Sequence, residues 1–586
     1  MRKTIIVLVI IALVISAGAY YYFYKPLARQ TAIEAVLPKD TLGMIRVCEL
    51  KKQIERFGKG RMGQSLGGID LPQLMAAMEI PPKQRTEITH AVANFKTAVN
   101  SSWFDAFLGQ DVSFAMLNIN LDPRQLESVD PETLLDSIVL VARPKQSVKV
   151  IESLSSMFGS TLSVKTQKYQ QWEISEFFLE NGRPVYYALT NELMIAGFSI
   201  APVKRCLKQS LDDSTSLLQS EIYQRHCADL YKSGQTDFLA FANADHFITF
   251  FQEAFSHKAK NDPSMKQLIN QFQNLQGIET INFVQYDDGS PLVRSKIIAG
   301  IDRTKMSHRL KSITDIDPAA NHTLKYIPVD SLIYNWQNTF DLKVYWDEIQ
   351  HHPEITPEAV SKIKQSFVKE TGMEIESLLD AFGTQAGMLV KDINMDGPFP
   401  FPELALFIEV KQPDVVSQLI KQQIKKLNMP IQHETYRKTD VQYVMLPTGA
   451  NMSPAYAFIE EYFALTINRN LLKSMIDAPD KKSLGSNSNF KALGKEMTAE
   501  NNQIFYLNTE EMIIKTRKLI SWGISWMAIA QRDKVEKATK IVDLGINPLL
   551  DGLSMIKAIG GSTYIGEDFI KSDMQVLMDR SKSNGT

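Results

Sequence analysis

Residues 37–47 read LPKDTLGMIRV, and residues 327–337 read IPVDSLIYNWQ. Each stretch carries a proline, an aspartate two positions later, and then a short run suited to a β-strand. Five further pairs of similar stretches follow in the same order. Their first members begin at residues 104, 136, 184, 236 and 278, and their second members begin at residues 378, 402, 454, 502 and 555. Repetition of six blocks in one order predicts a tandem duplication.

Each copy has the pattern of a mixed α+β fold. A strand follows the Pro-x-Asp start, and helical segments then lead to a glycine, Gly109 or Gly383, of the kind that often ends a helix in a left-handed cap. Two strands, an amphipathic helix and several hairpins come next, and a later helix begins at Asn243 or Asn508 as its N-cap. Since hairpins dominate, we expect a largely antiparallel sheet with helices packed on one face.

The repeats divide the chain into parts. We expect a membrane-spanning segment over residues 1–27, a first α+β domain over 28–301, a linker over 302–325, a second α+β domain over 326–580 and a polar tail over 581–586. The linker is placed where the sequence turns polar and has no long apolar period.

The first residues indicate a membrane anchor. Arg2 and Lys3 precede an uncharged run over residues 4–24, which as a helix would span about 31 Å and match the hydrocarbon core of a bilayer. The two basic residues favour the cytoplasmic side, so the body is expected outside the cytoplasm. The alternative is a cleaved signal peptide, for which Ala17-Gly18-Ala19 has suitable spacing. The apolar run continues past that site, which favours the uncleaved anchor.

Composition fits an exported globular body. The chain is 44% hydrophobic and 22% charged, with a formal net charge of -2. Such a balance gives no basic field for nucleic acid, so no nucleic-acid partner is expected. The three cysteines, Cys48, Cys206 and Cys227, allow at most one internal disulfide. Cys206 and Cys227 could pair, but buried free thiols are favoured.

The apolar N-terminus, the Leu-Pro-x-Asp-Thr start at residues 37–41 and the duplicated helix-glycine-strand pattern resemble the domain-of-unknown-function 3352 family. The resemblance covers nearly the whole chain after the anchor. It implies an α+β fold and an envelope location, namely a single-pass protein of the bacterial inner membrane with its body in the periplasm. It implies no activity and no site residue.

Residues 392–403 form the sharpest local motif, DINMDGPFPFPE. They fit the calcium-loop pattern D-x-[DN]-x-[DN]-G-x5-E. Asp392, Asn394 and Asp396 would supply side-chain oxygens, and Glu403 would supply a bidentate carboxylate. The alternative interpretation is a connection between strands rich in glycine and proline. Calcium is the one cofactor that the sequence suggests.

Other motifs give little support for catalysis. Residues 58–63 match the string G-x-G-x-x-G, and residues 63–67 spell the G-x-S-x-G elbow around Ser65, but neither follows an apolar strand. A flexible glycine loop is expected there. His351 and His352 adjoin, yet no second pair lies at metal-ligand spacing.

Residues 519–530 read LISWGISWMAIA and carry two tryptophans four positions apart. Trp522 and Trp526 would therefore share one helix face, which could form an apolar interface with a membrane or a ligand. A buried helix in a large domain is the alternative.

These features favour a non-enzymatic, membrane-tethered extracytoplasmic protein whose duplicated body binds or scaffolds another macromolecule. The alternative hypothesis is a carrier or binder of a lipid or another hydrophobic ligand, held between sheet and helices. A third hypothesis is a hydrolase with its site at the domain junction.

Overall fold

The computed structural model describes residues 31–580 apart from the segments 118–134, 146–163, 179–181, 191, 233–234, 257–261, 263, 265–268, 270, 352–354, 396, 398, 428–429 and 446–451. The predicted membrane-spanning segment, residues 1–27, and the tail, residues 581–586, lie outside the described residues. Within the described ranges, no helix combines the length and the apolar character needed to cross a bilayer.

Strands of this chain form one large antiparallel sheet. In chain order they are β1 (Gly43–Val47), β2 (Val112–Met116), β3 (Ile138–Ala142), β4 (Lys165–Tyr169), β5 (Trp172–Phe178), β6 (Pro184–Leu189), β7 (Met194–Gly197), β8 (Thr236–Asn243), β9 (Ile278–Tyr286), β10 (Leu292–Ile301), β11 (Ile333–Gln337), β12 (Phe382–Asn394), β13 (Phe401–Val410), β14 (Ile431–Tyr436), β15 (Thr439–Val444), β16 (Ala455–Ile459), β17 (Tyr462–Thr466), β18 (Gln503–Leu507), β19 (Ile556–Ile565) and β20 (Phe569–Met578).

Pairing sets the strands in a symmetric order. From edge to edge they run β4-β5-β6-β7-β3-β2-β1-β8-β9-β10-β20-β19-β18-β11-β12-β13-β17-β16-β15-β14. Counted inward from the two edges, β14 stands where β4 stands, β15 where β5 stands, and so on to β20 and β10. The order therefore has the symmetry that two copies of one ten-stranded unit would produce.

The two halves of the order meet at β10 and β20. These strands pair antiparallel from Leu292 opposite Leu577 to Gly300 opposite Phe569. Lys296 and Asp573, the fifth residues of their strands, face each other, so an approximate two-fold axis passes between them. Hydrogen bonding thus continues through the join, and the halves share one sheet.

Helices occupy the connections between strands. They are α1 (Leu50–Lys59), α2 (Arg61–Gly67), α3 (Leu71–Ala77), α4 (Pro82–Asn100), α5 (Ser102–Leu108), α6 (Ile200–Gln209), α7 (Glu221–His226), α8 (Ala244–Ser256), α9 (His308–Thr314), α10 (Leu342–His351), α11 (Pro357–Thr371), α12 (Ile375–Asp380), α13 (Pro413–Leu427), α14 (Arg469–Asp477), α15 (Ser488–Ala492), α16 (Thr509–Ala530), α17 (Val535–Ile541) and α18 (Asn547–Leu553). The predicted linker holds α9 and a 3-10 turn, His322–Tyr326.

Helix ends test the cap predictions. The N-cap predictions are confirmed, because Asn243 Oδ1 accepts from the backbone N–H of His246 at 3.2 Å and Asn508 Oδ1 accepts from that of Glu511 at 3.3 Å. Helix α5 ends before Gly109, but with φ -70 and without the left-handed cap. The prediction for Gly383 was wrong, since this residue lies inside β12.

Gly383 of β12 lies close to the side chain of Glu409. A Cβ atom there would come within 2.2 Å of the Glu409 carboxylate, so a larger residue would require that side chain to move.

Helices pack on both faces of the sheet. Successive strand residues point to opposite faces. Val141 belongs to the large core of the first half, under α6, whereas Ala142 belongs to a smaller cluster with Phe107 and Leu108 of α5. The second half has the same arrangement, with a large core under α14 and a smaller cluster under α13. The prediction of helices on a single face was therefore wrong, because the strand ends carry apolar residues on both faces. We call the side of the two large cores the covered face and the other side the open face.

Candidate functional site

Two rows of directly paired residues cross the middle of the open face. Strand pairing joins each residue of the first row to the next, in the order Leu140, Phe114, Ile45, Ala240, Phe283 and Ile297. The second row runs in the same way through Leu406, Met388, Asn335, Phe505, Gly561 and Met574. Neither row contains a charged residue. The rows meet at β10 and β20, where Ile297 pairs with Ser572 and Met574 with Ser295.

Large apolar side chains of these rows are exposed. Phe114 is 51% exposed, Ile45 47% and Ile297 41%. The second row has Leu406 at 47%, with Met388 and Met574 both at 39%. With neighbouring strands about 4.8 Å apart, the twelve strands from β3 to β13 carry this surface across roughly 50 Å. Exposed apolar surface of this extent marks an interaction site.

Helices border the apolar surface without covering its centre. Phe107 and Leu108 of α5 pack over the ends of β2, β3 and β7, and α13 packs over the corresponding end of β13. On the first half, the Phe247 ring of α8 would lie 3.9 Å from a Cβ atom on Gly43, a residue of the open face. The open face therefore forms the floor of a trough with helical walls.

The predicted calcium loop is the turn of the β12–β13 hairpin. Ile393 pairs with Pro402 and Asn394 pairs with Phe401, so Asp392 and Glu403 lie in neighbouring strands. Asp392 Oδ1 is 2.5 Å from the Lys515 ammonium nitrogen of α16. Asp396 lies outside the described residues. Across the part of the chain that the structure describes, no three His, Cys, Asp or Glu side chains are grouped to hold a metal ion.

Calcium binding by residues 392–403 stays a prediction with a direct test. Because Lys515 engages Asp392, a bound cation must displace that ammonium, and we expect weak binding. Calcium at millimolar concentration should raise the melting temperature above that in chelator, and Glu403→Gln should remove the difference. Identical melts of the unchanged protein in calcium and in chelator would end the prediction.

The tryptophan pair lies beside the same hairpin turn. Trp522 and Trp526 of α16 stack with ring centroids 6.1 Å apart and planes at 12°. Phe399, from the turn, meets them edge-on at 6.2 Å and 5.2 Å. Trp526 is 45% exposed and Ile529, one turn further, is 80% exposed. We call Phe399, Trp522, Trp526 and Ile529 the aromatic arm.

The two sites that the sequence predicted separately are thus in contact. The exposure of the arm disagrees with the interpretation of residues 519–530 as a buried helix. The part of α16 that packs on the sheet is its first two turns, where Thr509 and Ile513 are buried.

The serine and histidine motifs lie in ordinary surroundings. Ser65 is within α2, so the predicted glycine loop was wrong: tertiary contacts hold these glycines in a helix, with Met62 packed on Gly552 of α18. His351 is at the end of α10, with its ring beside Asp347 at 3.1 Å, and His352 lies outside the described residues.

All three cysteines are free and buried, which confirms the prediction of free thiols. Burial raises the pKa of the Cys48, Cys206 and Cys227 thiols from 9.0 to about 12. We expect a thiol reagent at neutral pH to leave the native protein unlabelled and to label three thiols after unfolding.

The same groups give a pH dependence. The unfolded chain releases its thiol protons near pH 9.0 while the folded chain keeps them to about 12, so the unfolding free energy should fall as pH rises through that window. Rapid native labelling at any one cysteine would contradict the burial.

Sequence reasoning missed the open face. The signal was present in strands that are apolar at nearly every position, such as IVLVA over Ile138–Ala142 and LALFIEV over residues 404–410. Strands of an antiparallel sheet with one solvated face normally alternate apolar and polar residues. Continuous apolar strands at the centre of such a sheet therefore indicate that both faces contact apolar groups.

Comparison with known proteins gives one family. A family model described as "Protein of unknown function (DUF3352)" matches residues 104–522. A search of curated proteins finds no match. Among solved structures, the chain titled "Structure of crystal form I of TP0453" is 9% identical with a TM-score of 0.23, and the alignment covers 48% of this chain and 84% of that chain.

Proposed function

The chain belongs to the DUF3352 family, whose description assigns no function, and from the geometry of the open face we propose that it is a membrane-tethered, extracytoplasmic lipid-binding protein. The observation that carries the proposal is the pair of uncharged rows that cross the open face. Hydrocarbon chains of lipid would lie against these rows. The proposal favours the hydrophobic-ligand hypothesis over the macromolecular scaffold.

The chemistry of the rows suits hydrocarbon better than a protein surface. Protein interfaces combine an apolar centre with a polar rim and about one hydrogen bond per 100–200 Å². Asn335 is the single residue with a polar side chain in the two rows, and its direct partners on either side are Met388 and Phe505. Acyl chains need no hydrogen bonds. The six strands beneath each row span roughly 24 Å, longer than the ~15 Å of one leaflet of a bilayer core.

The favourable free energy of lipid binding comes from covering apolar surface of the protein. A lipid in a bilayer is already out of water, so its own transfer gains little. The exposed side chains of the rows are in water until a ligand covers them, and covering apolar surface contributes about 25 cal/mol per Å². A shallow, open floor also permits an extended acyl chain to slide along it, because no hydrogen bond fixes the position of the acyl chain.

The tether and the duplicated body belong to the same proposal. The uncharged run over residues 4–24 supports a single crossing of the bacterial inner membrane with the body in the periplasm. The symmetric strand order supports two related α+β units, residues 28–301 and 326–580, joined into one sheet. Joining the units edge to edge doubles the length of the apolar floor. A single unit would provide only half of that length.

A photoactivatable lipid tests the proposal. The full chain would be reconstituted in vesicles that contain phosphatidylethanolamine with a diazirine near the end of one acyl chain. After illumination we expect crosslinks on peptides that contain Ile45, Ile297 and Met574. The macromolecular-partner hypothesis predicts crosslinks only on residues 1–27 and on surfaces that touch the bilayer. Absence of crosslinks from the peptides that contain Ile45, Ile297 and Met574 would overturn the lipid-binding proposal.

A further inference from the structure

We propose that the aromatic arm docks on the surface of an anionic phospholipid bilayer, the membrane that holds the tether. The inference rests on the tether in the proposed function and is independent of what the open face binds. It concerns a separate surface, at the outer end of α16 and the turn of the β12–β13 hairpin.

The arm has the composition of a membrane-interface element. Ile529 is 80% exposed, Phe399 55% and Trp526 45%. The Phe399 and Trp526 rings are in contact, and Ile529 lies three residues after Trp526 on the same helix. Tryptophan has an apolar body and a polar N–H group, which suits the boundary between headgroups and acyl chains. The stacked Trp522 holds Trp526 in place, so the exposed ring loses little freedom when it enters the interface.

Basic residues follow the arm directly. Helix α16 ends at Ala530, and a 3-10 turn, Arg532–Lys534, begins two residues later. Its sequence is Arg-Asp-Lys, with a net charge of +1, and the Arg532 and Lys534 side chains are exposed. Positive charge beside an apolar tip complements the negative headgroups of anionic lipids. A neutral hydrophobic protein partner would leave these charges without a counterpart.

The position of the arm agrees with that of the tether. Strand pairing places Val47, Ala142 and Leu507 at the same end of the sheet. Thr31, the first described residue, is held at this end because Arg143 donates to its carbonyl oxygen at 2.6 Å. Helix α16 leaves the sheet after Leu507, at the same end. The six residue-to-residue steps from Lys25 to Thr31 span at most about 20 Å, so this end of the body must stay close to the bilayer.

Helix α4 at this end has a second apolar stripe. Ile88, Val92 and Phe95 are spaced four and three residues apart, and they are 40%, 38% and 62% exposed. The connection between α3 and α4 is joined to α17, which follows the arm, by an ion pair between Glu79 and Lys537 at 2.7 Å. Two apolar projections at the tethered end are consistent with one bilayer beneath both.

Quenching by brominated lipid tests the docking. The full chain would be reconstituted in vesicles of phosphatidylethanolamine and phosphatidylglycerol, with and without phosphatidylcholine brominated on its acyl chains. We expect the brominated lipid to quench part of the tryptophan fluorescence. The double variant W522F/W526F should lose most of that quenching. The matched control, W346F, should retain it, because Trp346 is 7% exposed on α10, at the opposite end of the sheet.

Flotation of the same samples distinguishes a failure of the docking from a failure of the tether. A chain that floats with the vesicles while W522F/W526F is quenched as strongly as the unchanged protein would overturn the docking of the arm and leave the tether intact. A chain that does not float would overturn the tether and the docking with it. Crosslinking of acyl probes to the open face is scored in a separate experiment, so its failure affects neither result.

Discussion

Replacing Ile297 and Met574 together with aspartate is expected to abolish lipid binding on the open face while leaving the fold intact. The two side chains lie where the rows meet, and they are 41% and 39% exposed, so the folded protein can keep both carboxylates in water. Hydrocarbon laid over them would remove that water. Desolvation of an unpaired polar or charged group costs about 3 kcal/mol or more, which weakens binding roughly a hundredfold. Crosslinking of the acyl probe to the open face measures the loss.

The control for this double variant is Leu211→Asp. Leu211 is 52% exposed, follows α6 on the covered side, and makes no part of either row. It receives the same change from a large apolar residue to aspartate. We expect Leu211→Asp to keep full crosslinking, and thermal melts of both variants to match the unchanged protein. Equal crosslinking of I297D/M574D and the unchanged protein would contradict the lipid-binding floor, since an unpaired carboxylate cannot lie under an acyl chain at no cost.

Much of the fold follows from short-range patterns. The repeated stretches at residues 37–47 and 327–337 correspond to strands β1 and β11, which hold equivalent places in the sheet. The asparagine N-caps at residues 243 and 508 could also be predicted from the sequence, because capping depends on one side chain and a local turn. What failed depends on distant contacts. Gly383 was assigned to a helix end, but it lies in β12, a strand that pairs with β11 and β13.

The join between the halves could not be predicted. β10 and β20 each have the pattern of the second strand of a hairpin, with partners in β9 and β19. Nothing local indicates that their other edges pair with each other. The pairing runs over nine matched backbone positions, from Leu292 opposite Leu577 to Gly300 opposite Phe569. A sequence with two repeats is equally compatible with two separate sheets.

The sequence identified two candidate segments but did not indicate that they are in contact. Residues 392–403 and Trp522 were both identified, from a ligand pattern and from helical spacing respectively. Their contact runs through Phe399, a residue with no role in the calcium pattern. The alternative interpretation of that loop, as a connection between strands, describes the hairpin correctly.

A buried ion cluster around Arg46 of β1 gives the second prediction with a large expected effect. Arg46 is 3% exposed and pairs with Glu34 at 2.8 Å and with Asp111 at 2.5 Å. Its guanidinium also lies 4.0 Å from the centre of the Tyr231 ring. The equivalent position in the second half, the fourth residue of β11, is Trp336, which is fully buried and donates from Nε1 to Gln385. One topology therefore holds an ion cluster in one half and an indole in the other.

Arg46→Ala should lower the free energy of unfolding by about 3–5 kcal/mol, because it leaves the Glu34 carboxylate buried without its partner. The double variant E34L/R46M should recover most of that loss, since replacement of a buried ion pair by apolar side chains of similar volume is often neutral or stabilising. The second half already shows that this topology accepts an apolar group at the site. Urea unfolding of the three proteins measures both changes. Asp111 loses its arginine partner in both variants, so the difference between them reports on Glu34 alone. If E34L/R46M were as unstable as Arg46→Ala, the unpaired Glu34 carboxylate would not be the cause of the loss, which would then come from Asp111 or from packing around the long arginine side chain.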